Sequence, residues 1–335
     1  MVVPVSSTSF MRTVRPAVVL LPGLLAAVAA AEMPQFPVPD SIETVMVEAL
    51  QPRYVAPTLR DRIGRIWAPV YINDQGPYRL VLDTGANRSA VIDRVAVALG
   101  SGVVTAANAQ LRGTTGTAVV PMIDVERLQI GDLLIEATQL PILPDAFGGA
   151  DGVLGYDGLK DKRIFIDFGN DLITIKRSQR ERPAAGFTSL PITFLQDFVP
   201  TINVYLGSTR IKAIIDTGAQ RSMGNTALYE LLLRRRREFA DSTVTGVTLD
   251  DQAGHATRLH DIRMGDVTIP SLQVTFGDLY IFQYWKVEDV PVLILGMDVL
   301  GTVNKLVIDY RRREVHMQVR SRHAERQQTL GTRLP

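Results

Sequence analysis

The sequence predicts an all-β protein of two lobes related by an internal pseudo-twofold axis, each lobe a barrel of short strands with a few short helices. Three observations carry this prediction. One eight-residue word occurs twice, as Leu82-Asp83-Thr84-Gly85-Ala86-Asn87-Arg88-Ser89 and as Ile215-Asp216-Thr217-Gly218-Ala219-Gln220-Arg221-Ser222. Landmarks downstream keep step, with a glycine 30 positions after each Asp (Gly113, Gly246) and a Gly-Asp turn a further 18 or 19 on (Gly131, Gly265). Each copy then closes in apolar-apolar-Gly and an alternating strand, Val153-Leu154-Gly155 before 164–168 and Ile294-Leu295-Gly296 before 306–310. Self-similarity at a fixed offset marks a doubled unit, and period-two alternation marks half-buried strands.

Taken from the N-terminus, residues 1–31 read as a signal peptide. Arg12 and Arg15 precede an apolar run over 17–31, and Ala29-Ala30-Ala31 offers a small-residue cleavage site before Glu32. Met11 is an alternative start. Fifteen apolar residues interrupted by Pro22 and Gly23 are short against the roughly 20 that a spanning helix needs. Export with cleavage, to the periplasm or outside the cell, is therefore the expectation, with an uncleaved membrane anchor as the alternative. Residues 32–59 form a proline-rich leader (Pro34, Pro37, Pro39, Pro52, Pro57) packed loosely on the first lobe. The first lobe is assigned to 60–177, a linker to 178–187, the second lobe to 188–319 and a mobile basic tail to 320–335.

Within each copy the pattern calls for one helix soon after the repeated word and a second short one after apolar-apolar-Gly, the longest spanning 225–239. Four consecutive arginines, Arg234 to Arg237, read as a solvated helix end. The copies differ mainly between the Gly-Asp turn and the closing glycine, 24 positions from Gly131 to Gly155 but 31 from Gly265 to Gly296. That excess contains Tyr280, Phe282, Tyr284 and Trp285, read either as a cleft wall favouring apolar side chains or as a core plug.

Composition bounds the function. With 335 residues the chain can bury two cores. Its 36 basic and 35 acidic side chains leave a net charge of +1, so there is no electrostatic footprint for nucleic acid. The absence of cysteine excludes disulfides, zinc–thiolate sites and lipid attachment through a cysteine. None of His255, His260, His316 and His323 stands at metal-ligand spacing with an acidic partner, so no metal and no cofactor are expected.

The chemistry lies in the doubled word. An Asp at the end of an apolar strand, before a Thr and a turning Gly, is a carboxylate held on a rigid loop tip. Two such tips across a pseudo-twofold axis face each other. Carboxylates that close share one proton, and the pair can act as base and acid on one water. Taken singly, Asp83 or Asp216 is a common turn-forming aspartate. The duplication is what favours chemistry.

These motifs resemble the retropepsin and pepsin clan of aspartic peptidases, over about 60–319. Asp-Thr-Gly on an apolar strand, a glycine-bearing flap hairpin and a closing apolar-apolar-Gly each occur twice, in order. The resemblance implies the two-lobed acid-protease β-barrel fold, with Asp83 and Asp216 as the catalytic dyad. It implies that Thr84 and Thr217 lock the loops by mutual hydrogen bonds and that Gly85 and Gly218 offer backbone to substrate. The hairpins near 112–117 and 246–254 correspond to flaps, with Gly113, Gly246, Ala86, Asn87, Ala219 and Gln220 as further substrate-binding positions. A monomer acting on a peptide or protein substrate follows.

The sequence departs from the clan in places. Neither flap carries the tyrosine of the pepsin-like flap. Asn87 and Gln220, with Tyr156 and Met297, replace both ends of an ion pair found in retroviral members. Ala86 and Ala219 stand where pepsins usually carry a hydroxyl, which implies an activity optimum from mildly acidic toward neutral. A catalytically silent peptide-binding module on the same fold is the alternative function. A two-carboxylate glycosidase explains neither the Thr-Gly after each Asp nor the symmetry.

Overall fold

Matching burial in the two copies turns the repeated words into matching barrels. The computed structural model describes residues 56–57 and 65–319, apart from 101–103, 132, 146–147, 182 and 236. The long strand after each flap has 14 residues in both halves, Thr117–Ile130 and Asp251–Met264. The first buries Val120, Met122, Val125, Leu128 and Ile130; the second buries Gly254, Ala256, Leu259, Ile262 and Met264 at the same steps. Fully burying each larger apolar side chain stabilises by about 1.5–3 kcal/mol, so the shared pattern fixes one register in both lobes.

In the first lobe, Gln75–Leu82 runs parallel to Gly152–Leu154, and Tyr71 of Trp67–Ile72 pairs with Gln129 to close the barrel. In the second, Thr209–Ile215 runs parallel to Val292–Leu295, and Tyr205 of Val199–Leu206 pairs with Arg263. The fold is all-β and two-lobed, as expected. Short helices follow both repeated words, Asp93–Leu99 and Thr226–Leu233, and both closing glycines, Tyr156–Leu159 and Met297–Leu300.

A third sheet joins the halves. Its strand order is Ala56–Pro57, Leu172–Arg177, Lys162–Asp167, Lys305–Asp309, Glu314–Gln318, Thr188–Pro191. The middle pair comes one strand from each repeat, antiparallel, with Asp167 opposite Lys305 and Arg163 opposite Asp309. Two ion pairs related by the pseudo-twofold therefore cross this seam, Arg163 Nη1–Asp309 Oδ2 at 3.2 Å and Lys305 Nζ–Asp167 Oδ2 at 3.3 Å. Asp309 is wholly buried and also accepts from Ser178 Oγ at 2.7 Å.

Some expectations need adjusting. The helix expected over 225–239 is the longest, but it covers only Thr226–Leu233. Asn225 caps it, accepting from the Leu228 amide at 3.0 Å, and Leu228 and Leu232 are its buried stripe. Beyond Leu233 the arginines supply no further apolar step, and Phe239 folds back on Tyr229 with ring centroids 4.5 Å apart. The end of the leader is an edge strand: Ala56 pairs with Ile173. The linker begins tied down, with Ser178 buried and Glu181 bridging Arg163 and Lys176. The signal segment, the rest of the leader and the basic tail with His323 lie outside the described residues. Among the described residues no helix is long and apolar enough to cross a membrane.

Candidate active site

Each repeated word leaves the end of a buried parallel strand pair. Asp83 N–H donates to Leu154 O at 3.0 Å and Asp216 N–H to Leu295 O at 3.1 Å, so both aspartates are pinned to the closing strand of their own lobe. The next residue crosses to the other lobe. Thr84 Oγ1 donates to Ile215 O and Thr217 Oγ1 to Leu82 O, both at 2.6 Å. Each hydroxyl also accepts the other threonine's amide, at 3.1 and 3.2 Å. Both threonines are fully buried. Four bonds in a dry interior hold the two loops in one relative position.

The carboxyl groups meet above this lock. A Cβ on Gly85 would stand 2.8 Å from Asp216 Oδ2, and one on Gly218 would collide with the Asp83 carboxyl. Only glycine allows each loop to pass so close under the opposite carboxylate. Asp83 Oδ1 accepts the Gly85 and Ala86 amides at 2.8 and 3.0 Å, and Asp216 Oδ1 accepts those of Gly218 and Ala219 at 2.9 and 3.0 Å. The two carboxyl groups stand within hydrogen-bonding reach of each other.

Both groups retain partial solvent contact, yet protein encloses them closely enough to shift their titration. Burial pushes Asp83 up, against the backbone donors of Gly85 and Ala86 and the nearby Arg65 charge. Burial and the Asp83 charge push Asp216 up to about 8. Both shifts disfavour ionisation, and two carboxyls this close resist being charged together.

Beneath the dyad lies a second duplicated device that sequence reasoning left unassigned. Ser89 Oγ donates to Asp157 Oδ1 at 2.6 Å and accepts the Gly155 amide at 3.1 Å. Ser222 Oγ donates to Asp298 Oδ1 at 2.7 Å and accepts the Gly296 amide at 3.1 Å. Each pair ties the end of the repeated word to the turn after the closing strand. The signal was present as the same letters at matched positions in both copies. Asn87 and Gln220 are exposed, and their neighbours make the turn contacts through backbone, Ala86 O to Tyr156 N–H and Ala219 O to Met297 N–H, both at 2.9 Å.

The two flap hairpins meet tip to tip. Thr115 Oγ1 lies 3.3 Å from Thr248 Oγ1, and a Cβ on Gly113 would come within 2.8 Å of Val247 Cγ1. Gly246 faces Thr115. The aromatic excess of the second copy forms a helix, Tyr280–Tyr284, whose Ile281 and Phe282, with Trp285, are buried in a separate apolar cluster with Phe198, Ile214 and Ile294. Phe282 and Trp285 are thus a core plug, whereas Tyr280 and Tyr284 are half-buried, Tyr284 packing on the edge of this cluster with Ala219.

The histidines do other things. His255 stacks on Tyr229 at 5.2 Å, and His316 is buried with Nδ1 2.7 Å from Ser189 Oγ. Among the described residues no three His, Asp or Glu side chains come together in a way that could hold a metal ion.

Two family models match the chain, one on each repeat. That described as gag-polyprotein putative aspartyl protease covers residues 68–161, and that described as Aspartyl protease covers residues 202–299. No curated protein matches the chain. Each matched stretch begins in the first strand of the hairpin that leads into the repeated word and ends at the helix after the closing glycine. The chain thus belongs to the aspartyl proteases, as two retropepsin-like repeats in tandem.

Proposed function

We propose that the protein is an aspartic endopeptidase that hydrolyses peptide bonds with a water activated by Asp83 and Asp216. The observation that carries this reading is the pair itself, two carboxyls brought into reach of each other on threonine-locked loops, a setting that favours one shared proton. The ionised partner takes a proton from water as the water oxygen adds to the scissile carbonyl carbon. The protonated partner gives its proton to the carbonyl oxygen, producing a neutral gem-diol. Collapse breaks the C–N bond as one diol hydroxyl proton returns to the dyad and the first partner's proton passes to the leaving nitrogen. The dyad ends with the single proton it began with. On this reading, backbone at Gly85, Gly218 and the flap tips binds an extended peptide by strand-like pairing.

Replacing either Asp83 or Asp216 by Asn should lower turnover of a peptide substrate by at least roughly a thousandfold while leaving the circular dichroism spectrum unchanged. Substantial turnover by either folded variant rules out the shared-proton mechanism. The tip-to-tip flaps favour a second reading, a silent peptide-binding module. Binding of a transition-state-analogue peptide without hydrolysis of its cleavable counterpart would support it. The apolar run over 17–31 motivates the further proposal that the chain is exported and cut after Ala31. Sequencing the mature N-terminus checks this; a start other than Glu32 counts against it. The covalent fusion of both lobes supports action as a monomer, which light scattering would read directly.

A further inference from the structure

The two flap tips differ in what holds them. In the first, Gly113 N–H donates to Gly116 O at 2.8 Å and Gly113 is buried. Thr114 O accepts the Ile281 amide of the second lobe at 3.3 Å. That amide belongs to the first turn of the helix Tyr280–Tyr284, where no carbonyl of the helix reaches it. Beside it the Arg112 guanidinium lies 5.0 Å over the Tyr284 ring and also bonds Gln110 Oε1 at 2.8 Å. The helix is fixed from behind by Ile281, Phe282 and Trp285 in their apolar cluster.

The second tip lacks such a grip. It is one residue longer, since Arg112 pairs with Thr117 across the first tip but Thr245 with Asp251 across the second. Leu249 is 58% exposed, at φ 64°, a conformation that L residues rarely adopt. Among the described residues its polar bond to the other lobe is Thr248 to Thr115 alone. The equivalent stretch of the first copy, seven residues shorter from Gly-Asp turn to closing glycine, carries no helix among its described residues.

We propose that the helix Tyr280–Tyr284 is a latch that positions the first flap over the dyad, so that the second flap alone swings to admit substrate and release product. The opening for substrate rests on the endopeptidase reading; the difference in flap motion does not. A backbone hydrogen bond and a cation–π contact together suppress local opening by about tenfold or more.

Hydrogen–deuterium exchange of the full chain tests this. The amides of 246–250 should exchange at least about tenfold faster than those of 113–116, and the Ile281 amide should be protected. Tyr284→Ala should raise exchange over 113–116 to the level of the second flap and leave 246–250 unchanged, whereas Tyr284→Phe, which keeps the ring, should preserve the wild-type pattern. Arg112→Gln should reproduce the loosening from the other side of the contact. Equal exchange of both flaps in the wild type, or joint loosening in Tyr284→Ala, overturns the latch. Because the chain has no cysteine, a Thr115→Cys/Thr248→Cys disulfide can fasten the tips. Turnover should stop when the disulfide is oxidised and return with reductant; turnover by the fastened form overturns the gate. An unequal exchange pattern in a chain that never hydrolyses peptide leaves the latch standing and sinks the endopeptidase reading.

Discussion

The floor of the cleft and its roof were built from the same duplicated unit, and they have diverged to different degrees. In the floor the main bonds come in twins: the crossed threonines, the amide donors to each carboxylate, the Ser–Asp ties and the two seam ion pairs recur within a few tenths of an ångström. In the roof one tip turns in fewer residues than the other, and one of them meets a helix that its counterpart lacks. Chemistry explains the contrast. On the proposed reading, a proton shared by two carboxyls favours matched settings, whereas a peptide has a direction and gives a twofold roof no advantage.

The seam offers the largest test of how deep the floor symmetry runs. Asp309→Ala would leave the buried Arg163 with only the more exposed Glu181 as a charge partner and Ser178 without its acceptor, at a cost of about 3–5 kcal/mol in urea unfolding. Asp167→Ala should cost less, because its partner Lys305 is 30% exposed and keeps water. Equal losses would mean that burial does not distinguish the twins.

Next in size are the threonines. Thr84→Ala and Thr217→Ala each strand a buried carbonyl and an amide, and each should cost about 1–3 kcal/mol, alike within error. A clear inequality would show the lock to be one-sided. A Thr→Ser change at either position keeps the hydroxyl and should recover most of the loss.

The smallest effect concerns titration. The raised value of Asp216, about 8, places the loss of the shared proton, and so the alkaline limb of kcat/KM, toward that pH. Ala86→Ser with Ala219→Ser adds a hydroxyl donor to each carboxylate, favours the charged form and should move that limb toward acid by up to about one unit. An unmoved limb would mean that the amide donors already present saturate the carboxylates.

Much of the floor was legible before any coordinates, because Asp-Thr-Gly and the closing glycines repeat in register and each residue type has one physical use there. The Ser–Asp ties were written in the same words but could not be read: a serine near an aspartate in sequence space is common, and only folding brings positions 68 or 76 apart into contact. The seam was hidden for a related reason, since Arg163 and Asp309 are 146 positions apart and alternation says nothing of which strand is a neighbour. The aromatic segment stayed ambiguous between wall and plug because Ile281, Phe282 and Trp285 are apolar in either role. The helix expected over 225–239 ran too long because Phe239 looked like a further turn of the same stripe, whereas it packs back on Tyr229.

The outer strands of the joining sheet have a consequence for the chain as a continuous thread. Thr188–Pro191 borders the second repeat's half of that sheet as Ala56–Pro57 borders the first, so each repeat brings its own hem. Between them, 183–186 are exposed and lie outside every strand. A protein severed there keeps each strand beside its partner, and the cut removes only the high local concentration that tethering supplies. The two fragments, made separately and mixed, are expected to pair again along this sheet, with the two halves then open to independent exchange.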